Sequence, residues 1–302
     1  MRLISICLFV LAASACERNA PTHQTKRDQS EKTPALVSDA LLEWRDVSAD
    51  ELMLIETMHG TIAIELNADF APRHVERMRN LAASGVYDGA AFYRVIDGFV
   101  AQGGLQDEDA SADWPMLHNE NDRDISASSF TPLGNPDLFA PIVGHMNGFP
   151  AARDKDMGRE WLLHCPGAVA MARDEDPDSG RTEFYIVLGA QRYLDRNLTV
   201  FGKVIDGMDH VQALNRGNRA IESGVIQPPE KGDAILSVRI GSELAEANRP
   251  VYQVMNSNHI KFEDAKTAKR VREEAFFYRK PPEILDICAF DVPVRKIDPA
   301  LK

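Results

Sequence analysis

The side chains best suited to chemistry lie in one run, FYRVIDGFVAQGG, at residues 92–104. Arg94 is a fixed cation, Gln102 is a lone amide, and apolar or aromatic residues surround both. A permanently charged guanidinium and an amide in apolar surroundings suit a groove that holds an uncharged peptide and polarises one point on it. The run therefore predicts a peptide-binding groove with a single polarising cation.

Other combinations of reactive residues support weaker hypotheses. His164 and Cys165 are neighbours, but adjacent side chains on a strand point to opposite faces and do not readily form a nucleophile and base pair. The histidines show no ligand spacing, so no metal site is predicted. The acidic residues 174–178 lack the regular spacing of a calcium loop, which favours a solvated turn.

The flanking segments predict the elements that must position the groove. Apolar alternation from Ile62 to Leu66 and a turn at His59-Gly60 predict a hairpin with residues 52–57. Pro72 can begin a helix that Gly85 ends. Residues 184–188 and 200–204 are β-prone, and a second amphipathic helix follows over 208–214. This pattern is mainly β with two helices, as a closed, capped barrel needs.

The run at 92–104 resembles the signature of the cyclophilin peptidyl-prolyl isomerases, with phenylalanine, arginine, Gly-Phe and Gln-Gly-Gly in the family's order. Residues 53–89 resemble the family's first hairpin and helix, and residues 166–211 resemble its later strands and second helix. The similarity covers about residues 51–241. It implies a closed antiparallel eight-stranded barrel capped by two helices, which catalyses rotation about X-Pro bonds without a cofactor.

By this resemblance Arg94 is the main catalytic residue, since its guanidinium can donate to the prolyl nitrogen when that lone pair leaves the amide resonance. Phe99, Val100, Tyr185 and Leu194 fall at the positions of the apolar proline pocket. The other substrate-binding positions are Gln102, Ala172, Arg173, Tyr193 and Leu198. Many members have histidine at the position of Leu198 and tryptophan or phenylalanine at that of Tyr193, which leaves the catalytic strength open.

Two regions lie outside the family core. Residues 105–165 begin acidic and aperiodic and carry several prolines, and we expect short strands there plus an insertion near the groove. The insertion is either a plain surface elaboration or a specificity element. Residues 242–302 read as an extension packed on the barrel, with a possible strand at 251–254 and a surface helix over 262–276.

The N-terminus predicts export. Residues 1–15 carry one arginine and a short apolar stretch, which is typical of a signal peptide and too short to span a bilayer. Ala13-Ser14-Ala15-Cys16 resembles a bacterial lipoprotein box, in which Cys16 becomes acylated, and Glu17 then favours the outer membrane. An ordinary secretory signal is the alternative. Residues 16–50 are predicted to be a flexible tether to a periplasm-facing domain.

Charge and cysteine content limit the possible partners. The formal net charge of −12 gives the chain no electrostatic reason to bind nucleic acid. Once the exported chain has lost Cys7 and acylated Cys16, Cys165 and Cys288 are the remaining pair, and a disulfide between them is possible because disulfides persist outside the cytoplasm. Two buried, unpaired thiols are the alternative.

The expected function is isomerisation of X-Pro bonds in exported proteins by an enzyme of the cell envelope that a lipid anchors to the membrane. Proline-containing segments of those proteins would be its partners. Two other functions stay open. The same groove can serve as a catalytically weak or inactive binding module for such segments, or the chain can be a structural lipoprotein that docks an envelope partner.

Overall fold

The computed structural model describes residues 42–106 and 108–297. The predicted signal peptide, Cys16 and most of the predicted tether lie outside the described residues. The strands, in chain order, are β1 (Trp44–Asp46), β2 (Leu52–Thr57), β3 (Gly60–Leu66), β4 (Ala91–Val95), β5 (Val100–Gly104), β6 (Arg123–Asp124), β7 (Phe130–Pro132), β8 (Ile142–Met146), β9 (Phe149–Asp154), β10 (Arg159–Leu162), β11 (Ala168–Met171), β12 (Glu183–Val187), β13 (Val200–Asp206), β14 (Asp233–Ile240), β15 (Val251–Met255) and β16 (Val294–Ile297). The helices are α1 (Pro72–Ser84), α2 (Glu108–Ala112), α3 (Met208–Ala213) and α4 (Ile260–Val271).

Eight of these strands form a closed antiparallel barrel in the order β11-β12-β5-β4-β14-β2-β3-β13. This confirms the predicted mainly β, eight-stranded fold. The β2–β3 hairpin pairs Thr57 with Gly60 across a two-residue turn. Phe92 and Phe184 are fully buried in the core, where their ring centroids lie 5.9 Å apart in an edge-to-face contact.

Helices α1 and α3 pack against barrel strands. Pro72 occupies the start of α1, where its missing N–H costs no hydrogen bond, and Gly85 ends the helix in the left-handed region at φ 71°. Val75, Met78 and Leu81 form the buried face of α1, as the helical spacing predicts.

The region expected to hold short strands and an insertion forms a separate five-stranded sheet, the insertion sheet, in the order β6-β10-β9-β8-β7. Glu160 on β10 is fully buried and accepts 2.8 Å hydrogen bonds from both Arg123 and Arg153. A buried carboxylate needs such pairing, because an unpaired charge in the interior is strongly destabilising.

The tether prediction up to residue 50 is wrong for residues 44–46. These residues form β1, which pairs antiparallel with β15. Arg45 forms an ion pair with the buried Glu65 at 2.5 Å, and the Arg295 guanidinium lies 4.2 Å from the ring centroid of Trp44. These tertiary contacts hold a three-residue segment that is too short to show an alternating strand pattern.

The C-terminal extension contacts more than the barrel on which it was expected to pack. The Tyr252 hydroxyl donates to Asp206 of the barrel at 2.8 Å. Helix α4, which ends at Val271 rather than at 276, packs on the insertion sheet instead: Lys266 Nζ donates to the Pro132 carbonyl at 2.9 Å, and the Phe262 ring lies 5.1 Å from that of His145. The insertion sheet supplies the buried apolar surface that α4 needs.

Cys165 and Cys288 form a disulfide that joins the segment before β11 to the C-terminal extension, with their Cα atoms 4.8 Å apart. The alternative of two unpaired thiols therefore does not describe the structure. Across the described ranges, none of the helices combines the length and apolar character that crossing a bilayer requires.

Candidate active site

The barrel register brings three predicted site residues into one row. Arg94 on β4 pairs with Gln102 on β5, and Gln102 pairs with Tyr185 on β12. Side chains of directly opposed residues in an antiparallel sheet point to the same face and interact. Pairing across the strands thus assembles residues that lie up to 91 positions apart in the sequence.

The Arg94 guanidinium is held by two hydrogen bonds. Nη1 donates to Oε1 of Gln102 at 3.0 Å, and Nε donates to the backbone carbonyl of Ser223 at 2.8 Å. The Phe99 ring centroid lies 5.4 Å from the guanidinium carbon, close enough for a cation–π contact. Arginine has five N–H donors, so within the described part of the chain these two bonds leave three donors free for a ligand. The half-buried guanidinium can therefore still bind a peptide.

Gln102 is the centre of a polar network that the sequence alone did not reveal. Its Nε2 donates to the Tyr93 hydroxyl at 2.6 Å and to Glu183 Oε2 at 2.9 Å. The Tyr93 hydroxyl in turn donates to the same carboxylate oxygen at 2.6 Å. Burial raises the pKa of Tyr93, and its bond to Glu183 adds to this, so the phenol remains a donor. Both amide hydrogens of Gln102 are engaged, and its carbonyl oxygen points at Arg94.

A shift of register between β4 and β5 explains how Tyr93 and Arg94 serve the same network. Consecutive side chains on a regular strand point to opposite faces. The register between β4 and β5 shifts between Ala91 and Arg94, and such an irregularity re-aims the side chains beside it. Glu183 is two residues from Tyr185 on β12, so it shares the face of that predicted pocket residue.

The predicted apolar pocket residues range from the buried core to the protein surface. Val100 and Tyr185 are buried and belong to the main core cluster. Phe99, Ala172 and Leu198 are partly buried and pack against the same cluster. Leu194 is also partly buried, whereas Tyr193 is 60% exposed at the edge. Aliphatic and aromatic walls of this kind suit the ring of a proline.

Two arginines border these walls. Arg173 Nη2 donates to the carbonyl of Asn197 at 2.8 Å, which fixes it beside Leu198. The guanidinium carbon of Arg219, which was not predicted, lies 5.6 Å from the Phe99 ring centroid. Arg219 and Ser223 come from the loop between α3 and β14, and Ser223 has a left-handed backbone at φ 54°. No local sequence pattern marks either residue as part of a site.

The Tyr185 hydroxyl is bound within the protein. It lies 2.9 Å from Nε2 of the buried His164, whose Nδ1 is 3.2 Å from Asp195. Burial raises the pKa of Tyr185. Because this hydroxyl is used by His164, the tyrosine can present an apolar ring to the pocket, much as phenylalanine would. Cys165 beside His164 is in the disulfide, so these two residues are not a nucleophile and base.

Comparisons with known proteins agree with this geometry. The family model for the cyclophilin type peptidyl-prolyl cis-trans isomerases matches residues 52–240. A probable peptidyl-prolyl cis-trans isomerase of Brucella suis biovar 1 is 31% identical over 184 residues, which cover 60% of this chain and 80% of that protein. The corresponding protein of Brucella abortus strain 2308 is 30% identical over 184 residues with the same coverage.

A solved structure extends the similarity beyond the barrel. The crystal structure of the cyclophilin AquaCyp293 from Hirschia baltica superposes with a TM-score of 0.69 at 30% sequence identity. The match covers 84% of this chain and 93% of that one. Since residues 52–240 are a smaller share of the chain, the structural similarity includes parts of the segments outside the family core.

Proposed function

The chain belongs to the cyclophilin-type peptidyl-prolyl cis-trans isomerases, and on this premise we propose that it isomerises X-Pro bonds of exported proteins and assists their folding in the cell envelope. The observation that carries the proposal is the position of Arg94, whose guanidinium is fixed by Gln102 and Ser223 next to Phe99. The site needs no cofactor for this reaction.

Isomerisation breaks no bond to a leaving group. Rotation about a peptide bond faces a barrier of about 18–20 kcal/mol, because the nitrogen lone pair is delocalised into the carbonyl. In the twisted transition state the lone pair returns to the prolyl nitrogen, which becomes a hydrogen-bond acceptor. A free N–H of Arg94 can donate to that nitrogen. The planar ground-state nitrogen accepts poorly, so this bond favours the transition state selectively.

The neighbouring residues make this donation effective. Gln102 and Ser223 hold the guanidinium before substrate arrives, so little reorganisation is needed at the moment of rotation. The proline ring would lie against Phe99, Val100 and Tyr185, which excludes water and lowers the local dielectric. The carbonyl before the proline is then the part that turns.

Two features support a place of action outside the cytoplasm. The Cys165–Cys288 disulfide is of the kind that persists in oxidising compartments. Residues 1–16 resemble a signal peptide followed by a lipoprotein box, and we propose that acylated Cys16 anchors the protein to the outer membrane facing the periplasm. Cell fractionation tests this. Wild type is expected with the outer membrane and Cys16→Ser is expected to lose the anchor, whereas wild type in the cytoplasm with free thiols contradicts the proposal.

A prolyl-peptide isomerisation assay on the mature chain tests the catalytic role. Removing one transition-state donor costs about 10²–10³ in rate, so Arg94→Ala is expected to lose kcat/KM by that factor. Arg219→Ala is the matched control, because it deletes the other cation near Phe99 without touching Gln102. Equal effects of both variants would show that positive charge alone is needed. Peptide binding without any rate enhancement by wild type would select a binding module instead.

A further inference from the structure

An exposed apolar pair lies in the loop between β7 and β8 of the insertion sheet. Within this loop, residues 133–141, Leu138 is 97% exposed and Phe139 is 57% exposed. Single exposed apolar residues are common on protein surfaces and need no explanation. Two adjacent ones need an explanation when the loop that carries them is firmly held, because the backbone then presents them at a fixed place.

Hydrogen bonds fasten the loop on two sides. Asp137 Oδ1 accepts from the backbone N–H groups of Phe139 and Ala140 at 2.9 and 3.0 Å. Asn135 Nδ2 donates to the Leu285 carbonyl at 3.0 Å, and Asn135 Oδ1 accepts from the Leu285 N–H at 3.2 Å. The first set fixes the backbone around the apolar pair, and the second ties the loop to the C-terminal extension.

A buried ion pair fastens the loop to the barrel. Arg192 donates to both carboxylate oxygens of Asp137 at 3.1 Å, with side chains only 5% and 12% exposed. Separating these two residues would leave a buried charge without a partner, which is strongly destabilising. The bidentate ion pair therefore fixes the position of the loop. The Arg192 guanidinium carbon also lies 5.2 Å from the Phe139 ring centroid.

Arg192 lies in the turn that builds the proline pocket. Gln191 before it donates to the carbonyl of Gly98 at 2.7 Å, directly beside Phe99. Asp195 after it accepts from Arg192 Nε at 2.6 Å and contacts His164, which in turn contacts Tyr185. The turn itself supplies Tyr193 and Leu194. The loop is therefore continuous with the pocket through one short, hydrogen-bonded segment.

We propose that Leu138 and Phe139, together with the exposed Tyr193, form an apolar subsite for the peptide segment that flanks the proline. The inference rests on the proposed function, since its occupant is the same bound peptide. An extended peptide advances about 3.3–3.6 Å per residue, so three residues on one side of the proline span about 10 Å of surface next to the pocket. Arg192, which precedes Tyr193 and contacts Phe139, places the loop on that side. The occupant is an aromatic or large aliphatic side chain of an unfolded client.

The test compares prolyl peptides that carry phenylalanine or serine at each of the three positions on either side of the proline. For wild type, one phenylalanine position is expected to raise kcat/KM about tenfold over serine, as the burial of part of an aromatic side chain gives. Leu138→Ser with Phe139→Ser is expected to reduce this ratio to below about twofold. The control, Met58→Ser with Leu236→Ser, removes two exposed apolar residues elsewhere and keeps the ratio.

Binding measurements separate this inference from the proposed function. The Kd of the same peptides is measured with Arg94→Ala in place of wild type, with and without the two loop substitutions. A phenylalanine preference in Kd that the loop substitutions abolish supports the subsite, even if wild type catalyses nothing. A preference of equal size in the loop variant and the control, or no preference at any position, overturns the subsite while leaving isomerase activity unaffected.

Discussion

Lowering the pH from 7 to 5 is expected to destabilise the fold through His145 on β8. This side chain is fully buried where the insertion sheet meets the C-terminal extension. Its ring centroid lies 5.1 Å from that of Phe262 and 5.7 Å from that of Phe290, both edge-to-face. Burial lowers the pKa of His145 from 6.5 to about 3, and the nearby Lys203 and Lys266 add like-charge repulsion.

The direction of this pH effect follows from which state, folded or unfolded, binds the proton. Below pH 6.5 the histidine of the unfolded chain takes up a proton, whereas His145 in the folded protein stays neutral until about pH 3. The unfolded state thus binds more protons in this window, and stability falls as the pH falls. The contribution is fully present above pH 6.5 and is lost progressively between 6.5 and about 3.

The expected loss of stability is large relative to the total stability of a typical domain. One pKa unit corresponds to about 1.4 kcal/mol, so the loss is about 2 kcal/mol between pH 7 and 5 and approaches about 5 kcal/mol near pH 3. Net stabilities are commonly about 5–15 kcal/mol. A shift of about 2 kcal/mol is therefore measurable well before acid unfolding.

Urea unfolding at pH 7 and pH 5 measures this loss of unfolding free energy, and His145→Leu is the comparison variant. Leucine keeps the site apolar and cannot titrate, so every other titrating group contributes equally to both proteins and cancels. The variant is expected to lose about 2 kcal/mol less than wild type between the two pH values, whatever its absolute stability. An equal loss in both proteins would refute the reasoning, because it would assign the pH dependence to other groups.

Two further perturbations have expected outcomes. Tyr185→Phe removes the hydroxyl that His164 Nε2 contacts at 2.9 Å and leaves that buried nitrogen unpaired. Urea unfolding should therefore show a loss of about 1–3 kcal/mol in the free energy of unfolding. Unchanged stability would mean that this hydrogen bond is not made in solution. Cys288→Ser removes a cross-link that spans 123 residues, for which the loop-entropy model gives about 5 kcal/mol. Wild type with reductant should lose a similar amount, and a variant as stable as oxidised wild type would contradict the model.

The barrel was predictable because its signals are local. Alternation in β3, Pro72 and Gly85 at the ends of α1, and the run at 92–104 each fix an element within a few residues. The insertion sheet was predictable only as short strands. Its edge strand β6 has two residues, and its pairing order is set by contacts far apart in the sequence. The strand at Trp44–Asp46 was missed for the same reason.

The residues of the candidate site were likewise predictable where they lie in a local motif and not where distant contacts bring them in. Arg94, Phe99 and Gln102 lie in one contiguous motif and were predicted together. Tyr93 joins the network through a shift of register in β4, and no sequence pattern predicts that shift. Ser223 reaches Arg94 from 129 residues away, through a backbone carbonyl that any residue type could supply. Residue identity carries no information about such a contact.

The polar network changes what Gln102 can do. Both of its N–H groups donate to Tyr93 and Glu183, so only the remaining lone pair of Oε1 can meet a peptide N–H. The negative charge of Glu183 orients the amide, and the amide oxygen then fixes Arg94. Leu198 is apolar and the Tyr185 hydroxyl is bound to His164, so neither side chain competes with Arg94 for the bound peptide. Arg173 and Arg219 lie beside the pocket, but Arg94 is the arginine that the Gln102 amide fixes, and a low dielectric makes each of its hydrogen bonds stronger.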